Sequence, residues 1–105
     1  MKKIPDKLNI LGKRFDIVLE DMSKHACDHM GSAQLSTQKI WIDTEVHIQE
    51  KEETILHEII EMINKMCELE LDHKQMTTLS STLYQVLSDN KLSFGNTECG
   101  MIIND

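Results

Sequence analysis

Apolar residues change their spacing along this chain, from every second position in the first half to every third or fourth in the second. Leu8 and Ile10 flank the polar Asn9, and Phe15, Ile17 and Leu19 recur at alternate positions after Leu11-Gly12-Lys13. A period of two puts such residues on one face of a strand. Residues 8–19 therefore read as a β-hairpin, with Leu11-Gly12-Lys13 as the turn and Phe15, Ile17 and Leu19 facing one way. Residues 20–31 are polar, end in Gly31 and read as a loop. Ala33-Gln34-Leu35 reads as a short strand, Ser36-Thr37 as a turn, and residues 38–42 as a better strand. There Ile40 and Ile42 point to one side and Trp41 to the other. The expectation is one small antiparallel sheet of three to four short strands.

From about residue 48 to 67 the period becomes 3.6. Ile55, Ile59, Met62, Ile63 and Met66 share one side of a helical wheel, and Leu56, Ile60 and Cys67 widen it. His57, Glu58, Glu61, Asn64 and Lys65 fill the remaining polar arc. Asp72, with Gln75 three residues on, forms a capping box for a second helix that runs to about residue 90. Its apolar stripe is Met76, Leu79, Leu83, Val86 and Leu87, and His73, Thr77, Ser80 and Tyr84 line one flank of that stripe. A connection of about five residues makes the two helices antiparallel neighbours. The fold class expected is α+β, a sheet packed on two antiparallel helices. It forms a single domain over residues 1–92 with a tail at 93–105. That tail, which holds the short run Met101-Ile102-Ile103, suits disorder, an edge strand or a contact with another subunit.

Composition narrows the function classes. At 105 residues the chain is long enough for one compact domain, and 40% apolar with 28% charged content is that of an ordinary globular protein. With only Phe15, Trp41, Tyr84 and Phe94 as aromatics, the core must be built of Ile, Leu, Val and Met. The net charge of −7 argues against non-specific nucleic-acid binding, which needs a basic surface. It leaves room for a protein that binds basic surfaces or imitates nucleic acid, although solubility is the ordinary reading. Cys27, Cys67 and Cys99 are an odd set with no short spacing. They point to a reducing cytoplasm rather than a disulfide framework, and Cys67 reads as a small buried residue. Met1-Lys2-Lys3 leads into Ile-Pro-Asp-Lys and not into an apolar run, so no signal peptide is expected. No stretch approaches a membrane span.

The chemistry concentrates in Leu56-His57-Glu58-Ile59-Ile60-Glu61. His57 and Glu61 are four residues apart, hence about 40° apart on the helix and one turn along it. Two side chains so placed can hold one metal ion, and imidazole nitrogen with carboxylate oxygen is a donor set for zinc. Glu58, about 100° round from His57, occupies the place of the general base in a His-Glu-x-x-His metalloprotease helix. A Glu-rich helix face yields the same spacing without a metal, so a third ligand decides the matter. His73 is the best candidate, at the first turn of the second helix. To reach the site it must close roughly 9 Å between Glu61 and the end of the first helix. His25 and His29 lie in the loop, and Glu68 and Asp72 are acidic alternatives. His47 stands roughly 15 Å from His57 along the helix and reads as an exposed residue at its start. Tyr84 reads as a core-edge residue with its hydroxyl near solvent.

These motifs resemble the small zincin-like metallopeptidase proteins of phages and prophages, relatives of the SprT-like and ImmA/IrrE-like minimal zincins. The resemblance spans about residues 8–92. It rests on Ile10-Leu11-Gly12-Lys13-Arg14-Phe15-Asp16-Ile17, on Asp28-His29-Met30-Gly31 before Ile40-Trp41-Ile42-Asp43, and above all on residues 53–61. It continues through Leu69-Glu70-Leu71-Asp72-His73 and residues 79–90. It implies a small sheet on the motif helix with a further helix behind. It also implies one zinc ion per chain, held by His57, Glu61 and His73, with Glu58 catalytic. Glu61 stands where the family commonly has His. The implied activity is zinc-dependent peptide hydrolysis in the host cell cytoplasm, on a protein or peptide substrate. The alternative is a non-catalytic zincin scaffold that binds a host defence protein, as an acidic nucleic-acid mimic or otherwise. A homo-oligomer remains open in both readings, and neither involves a membrane.

Overall fold

The computed structural model describes residues 4–22 and 31–92. In chain order it holds β1 (Lys7–Ile10), β2 (Lys13–Glu20), β3 (Gly31–Gln34), β4 (Lys39–Asp43), α1 (Ile48–Cys67) and α2 (His73–Asp89). The four strands form one sheet in the order β1-β2-β4-β3. β1 and β2 form the expected hairpin, closed by Leu11 and Gly12, both at positive φ (50° and 83°). Two such residues in sequence make the tight turn whose twist matches that of paired strands.

The sheet is mixed, which corrects the all-antiparallel expectation. β3 and β4 pair antiparallel, but β2 and β4 run parallel, with Ile17 opposite Ile40 and Leu19 opposite Ile42. The cause lies in which strands are most apolar. β2 and β4 carry Phe15, Ile17, Ile40, Trp41 and Ile42 and take the two central positions. The polar β1 and the small-residue β3 (Gly-Ser-Ala-Gln) are left at the edges. β3 starts at the end of the sheet where β2 stops, so the β3–β4 hairpin brings β4 back parallel to β2.

One face of the sheet is dry. Phe15, Ile40 and Ile42 are fully buried and cluster with Ile10 from β1 and with Ile55 and Met62 from α1. Phe15, Ile40 and Ile42 follow the alternation predicted from sequence and Ile17 packs against them, but Leu19, expected on the same face, is exposed. α1 is the middle layer, packed against β3 and β4 on one side and against α2 on the other. That is why the buried residues of α1 include Thr54 and Glu58 as well as Ile55, Ile60 and Met62. Cys67, expected to be buried, is exposed in the last turn.

Both helix boundaries are set by side chains. His47 is exposed and caps α1, its Nδ1 accepting from the Gln49 N–H at 3.0 Å. The Asp72 carboxylate accepts from the Gln75 N–H at 2.8 Å, and the Gln75 side chain accepts from the Asp72 N–H at 2.9 Å, completing the capping box. Between the helices Asn64 acts as a clamp. Its Oδ1 accepts from the Leu71 N–H at 2.9 Å and its Nδ2 donates to the Leu71 carbonyl at 3.2 Å. This pair of bonds folds the connector back along α1, so that α2 starts beside the middle of α1. We expect Asn64→Ala to cost about 2 kcal/mol in urea unfolding, because two part-buried backbone groups lose their partners. A cost below about 0.5 kcal/mol would show that the connector holds its course without the clamp.

Candidate metal centre

The facing sides of α1 and α2 are joined by polar side chains as well as apolar ones. The Tyr84 hydroxyl donates to Glu52 Oε1 at 2.7 Å and the Ser81 hydroxyl to Glu53 Oε2 at 2.7 Å. The Ser80 Oγ lies 3.5 Å from His57 Nδ1, and the His57 and His73 rings meet edge to face with centroids 5.4 Å apart. Successive partners run backwards along α1 as they run forwards along α2, so the helices are antiparallel. The bond to the Glu52 carboxylate pushes the Tyr84 phenol up to about 12.

Beside this interface, His57, Glu58 and Glu61 bring one ligand atom each within 4.8 Å of one another. His57 Nε2 stands 4.0 Å from Glu61 Oε1, too long for a strong ion pair. Burial lowers the His57 pKa, against the opposing pull of Glu61, and the neighbouring His73 lowers it further. The neutral imidazole that results is the form a metal requires.

Glu58 is the unusual member. It is only 4% exposed, and its Oε1 is buried with no hydrogen-bond partner. Burial first, and then a side-chain hydrogen bond with Glu61 and the charge of that carboxylate, push the Glu58 carboxyl up to about 8. An orphaned, buried carboxylate oxygen is rare and costly in a folded protein. Here it sits within a nitrogen-and-oxygen donor set that suits a small divalent cation. The group fits a metal, and among the described residues this is the one cluster of its kind.

Three of the four residues expected from sequence, His57, Glu58 and Glu61, come together, and the fourth, His73, does not join them. Glu58 lies inside the compact cluster and His73 just outside it. His73 is exposed, and its Nε2 is 3.4 Å from the Thr77 hydroxyl. The Asn64 clamp starts α2 alongside His57, which brings His73 to the His57 ring but not into the cluster. Glu68 and Asp72 lie apart from the cluster as the C-cap of α1 and the N-cap of α2. His25 and His29 lie outside the described residues.

Two contributors escaped the sequence reading. Ser80 is buried against His57. Gly31, read there as the end of a loop, opens β3 where that strand meets α1. A Cβ on Gly31 would overlap Thr54 Cγ2 and lie 3.0 Å from the Trp41 carbonyl oxygen and 3.4 Å from Glu58 Oε2. Only a glycine lets the strand approach Glu58 this closely. The polar loop gave no sign of that contact.

No protein-family model matches the chain, and neither does any curated protein or solved structure. Fold and site define an α+β domain whose middle helix carries a half-buried His-Glu-Glu group able to hold a metal ion. None of its helices among the described residues is long and apolar enough to cross a membrane.

Proposed function

We propose that the chain is a small zinc-dependent hydrolase acting on peptide bonds. The observation that carries this reading is the buried Glu58 carboxyl, with an unpartnered oxygen, inside a cluster of metal-ligand type. His57 and Glu61 would hold the cation, with His73 as third ligand from α2. Zinc, when bound, supplies a Lewis acid for the scissile carbonyl and makes water acidic enough to attack near neutral pH. Its charge would also draw Glu58 down into the ionised form.

With the ion in place, Glu58 would take a proton from the attacking water on a carboxylate oxygen and return it to the leaving amine. β3, whose first residue packs against Glu58, is an edge strand among the described residues. Its outer side offers backbone groups along which an extended peptide can lie. A reducing cytoplasm of a host cell is the proposed setting, supported by the free, exposed Cys67. On this account Glu58→Gln keeps the metal and loses hydrolysis by about 10²–10⁴-fold. Cleavage of a verified substrate at the wild-type rate by that variant would refute the assigned role.

A second reading is favoured by a separate observation. Leu79, Leu83 and Val86 of α2 stand 41–42% exposed in one row, at spacings that place them on one face of the helix. Such a row suits a protein-binding surface. The chain would then act by binding a host protein, and Glu58→Gln would leave its function intact.

A further inference from the structure

We propose that Ser80 fixes the tautomer of His57, so that the ring carries its proton on Nδ1 and presents a bare Nε2 to Glu58 and Glu61. This inference rests on the metal-site reading and deepens it.

The argument is one of hydrogen-bond capacity. A serine hydroxyl has one proton to give and two lone pairs to offer. The Ser80 Oγ gives its proton to the Thr77 carbonyl of its own helix, at 3.0 Å. It also lies 3.5 Å from His57 Nδ1. While its proton is given to Thr77, the hydroxyl can meet Nδ1 only as an acceptor, and this long contact favours the hydrogen on Nδ1. At 1% exposure Ser80 has no water to compete for that lone pair. In a neutral imidazole a proton on one nitrogen leaves the other free, and the other is Nε2, which faces Glu61 Oε1 at 4.0 Å. Metal-binding histidines are oriented in this way by a partner on the far nitrogen. Here the partner comes from the second helix, so the α1–α2 contact itself selects the ligating atom. Ser80 is a positioning residue that acts through His57.

The test compares wild type with Ser80→Ala, which removes the acceptor while keeping the small side chain that the interface needs. Two-bond ¹H–¹⁵N spectra of the metal-free proteins, taken where the ring is neutral and assigned with His57→Ala, report the tautomer directly. We expect Nδ1–H in the wild type and a shift towards Nε2–H in Ser80→Ala, with the backbone spectrum otherwise preserved. Ser80→Thr, which retains the hydroxyl, should restore the wild-type pattern, and it provides a second comparison if Ser80→Ala folds poorly. Zinc affinity, measured against a coloured chelator, should fall about 10- to 100-fold in Ser80→Ala. A proton on Nε2 in the wild type, or the same tautomer and zinc affinity in all three proteins, would overturn the proposal. If the wild type takes up no zinc, the metal reading fails, while the spectra still decide the role of Ser80.

Discussion

Relative to Glu58→Gln, metal-free wild-type protein should lose stability, on the order of a few kcal/mol, as pH rises from 5 to 8. Glu58 has an ordinary value of 4.5 and is pushed up to about 8 in the fold, chiefly by burial. Below pH 4.5 both the folded and the unfolded chain hold the proton. Between the two values the unfolded chain releases it and the folded chain does not, so stability falls as pH rises. Above about 8 both are ionised and the loss is complete. His57 works the other way. Its lowered value removes stability as pH falls from 6.5 through its folded value, so the difference between wild type and Glu58→Gln isolates the carboxyl. Urea unfolding in the presence of a chelator at several pH values measures it. For a domain whose whole stability is about 5–15 kcal/mol the effect is large. Saturating zinc should remove most of it, since a cation stabilises the ionised carboxylate and adds binding energy to the folded state. A wild type whose pH dependence without metal matches that of Glu58→Gln would mean that Glu58 is not held in a dry site.

Gly31→Ala should be the most damaging single methyl group that can be added near the site. The new Cβ overlaps Thr54 Cγ2, and on its other side the Trp41 carbonyl at 3.0 Å is backbone and cannot yield. Forcing a methyl into such a space costs about 1–3 kcal/mol. Thr54 and Glu58 lie one turn apart on the same face of α1, so pushing this face away from β3 also opens the pocket that buries Glu58. We expect a loss of about 2–3 kcal/mol, together with weaker zinc binding. Thr54→Ser removes the offending Cγ2, and in the double variant Gly31→Ala/Thr54→Ser at least half of the lost stability should return. Coupling of that size is measurable because the two sites touch. A single variant as stable as wild type would show that strand and helix do not approach so closely.

The sequence made the local structure plain and concealed the long-range arrangement. Periodicity and the Asp72–Gln75 capping box placed both helices within about a residue of their ends. The Leu11-Gly12 turn and the alternation around Phe15 and Ile40 placed the sheet faces. The parallel pairing of β2 with β4 was not legible, because it joins strands separated by a long connection and leaves no local mark. The orientation of α2 was legible only in part. Its apolar stripe suggested that Leu79, Leu83 and Val86 face the core. Instead Ser80 and Tyr84 from the flank of that stripe, with Ser81, turn towards the His57, Glu52 and Glu53 of α1. A helix face rich in acids requires donors opposite it, and that demand outweighed the burial of three aliphatic side chains.

The candidate site was the most legible part, because His57, Glu58 and Glu61 are neighbours on one helix and their spacing fixes their proximity. The depth of Glu58 was not. It lies in the polar arc of the wheel, and only the placement of α1 as a middle layer buries it. His73 was visible as the start of a capped helix, but its approach to His57 depends on the bonds from Asn64 to Leu71, which no local pattern announces.

The central claim is that this group holds a metal ion, and elemental analysis of purified protein beside His57→Ala tests it most directly. The account predicts one zinc per chain in the wild type, retained in Glu58→Gln and lost in a folded His57→Ala. Wild-type protein prepared without chelators that contains no stoichiometric metal and takes up none from added zinc would contradict it.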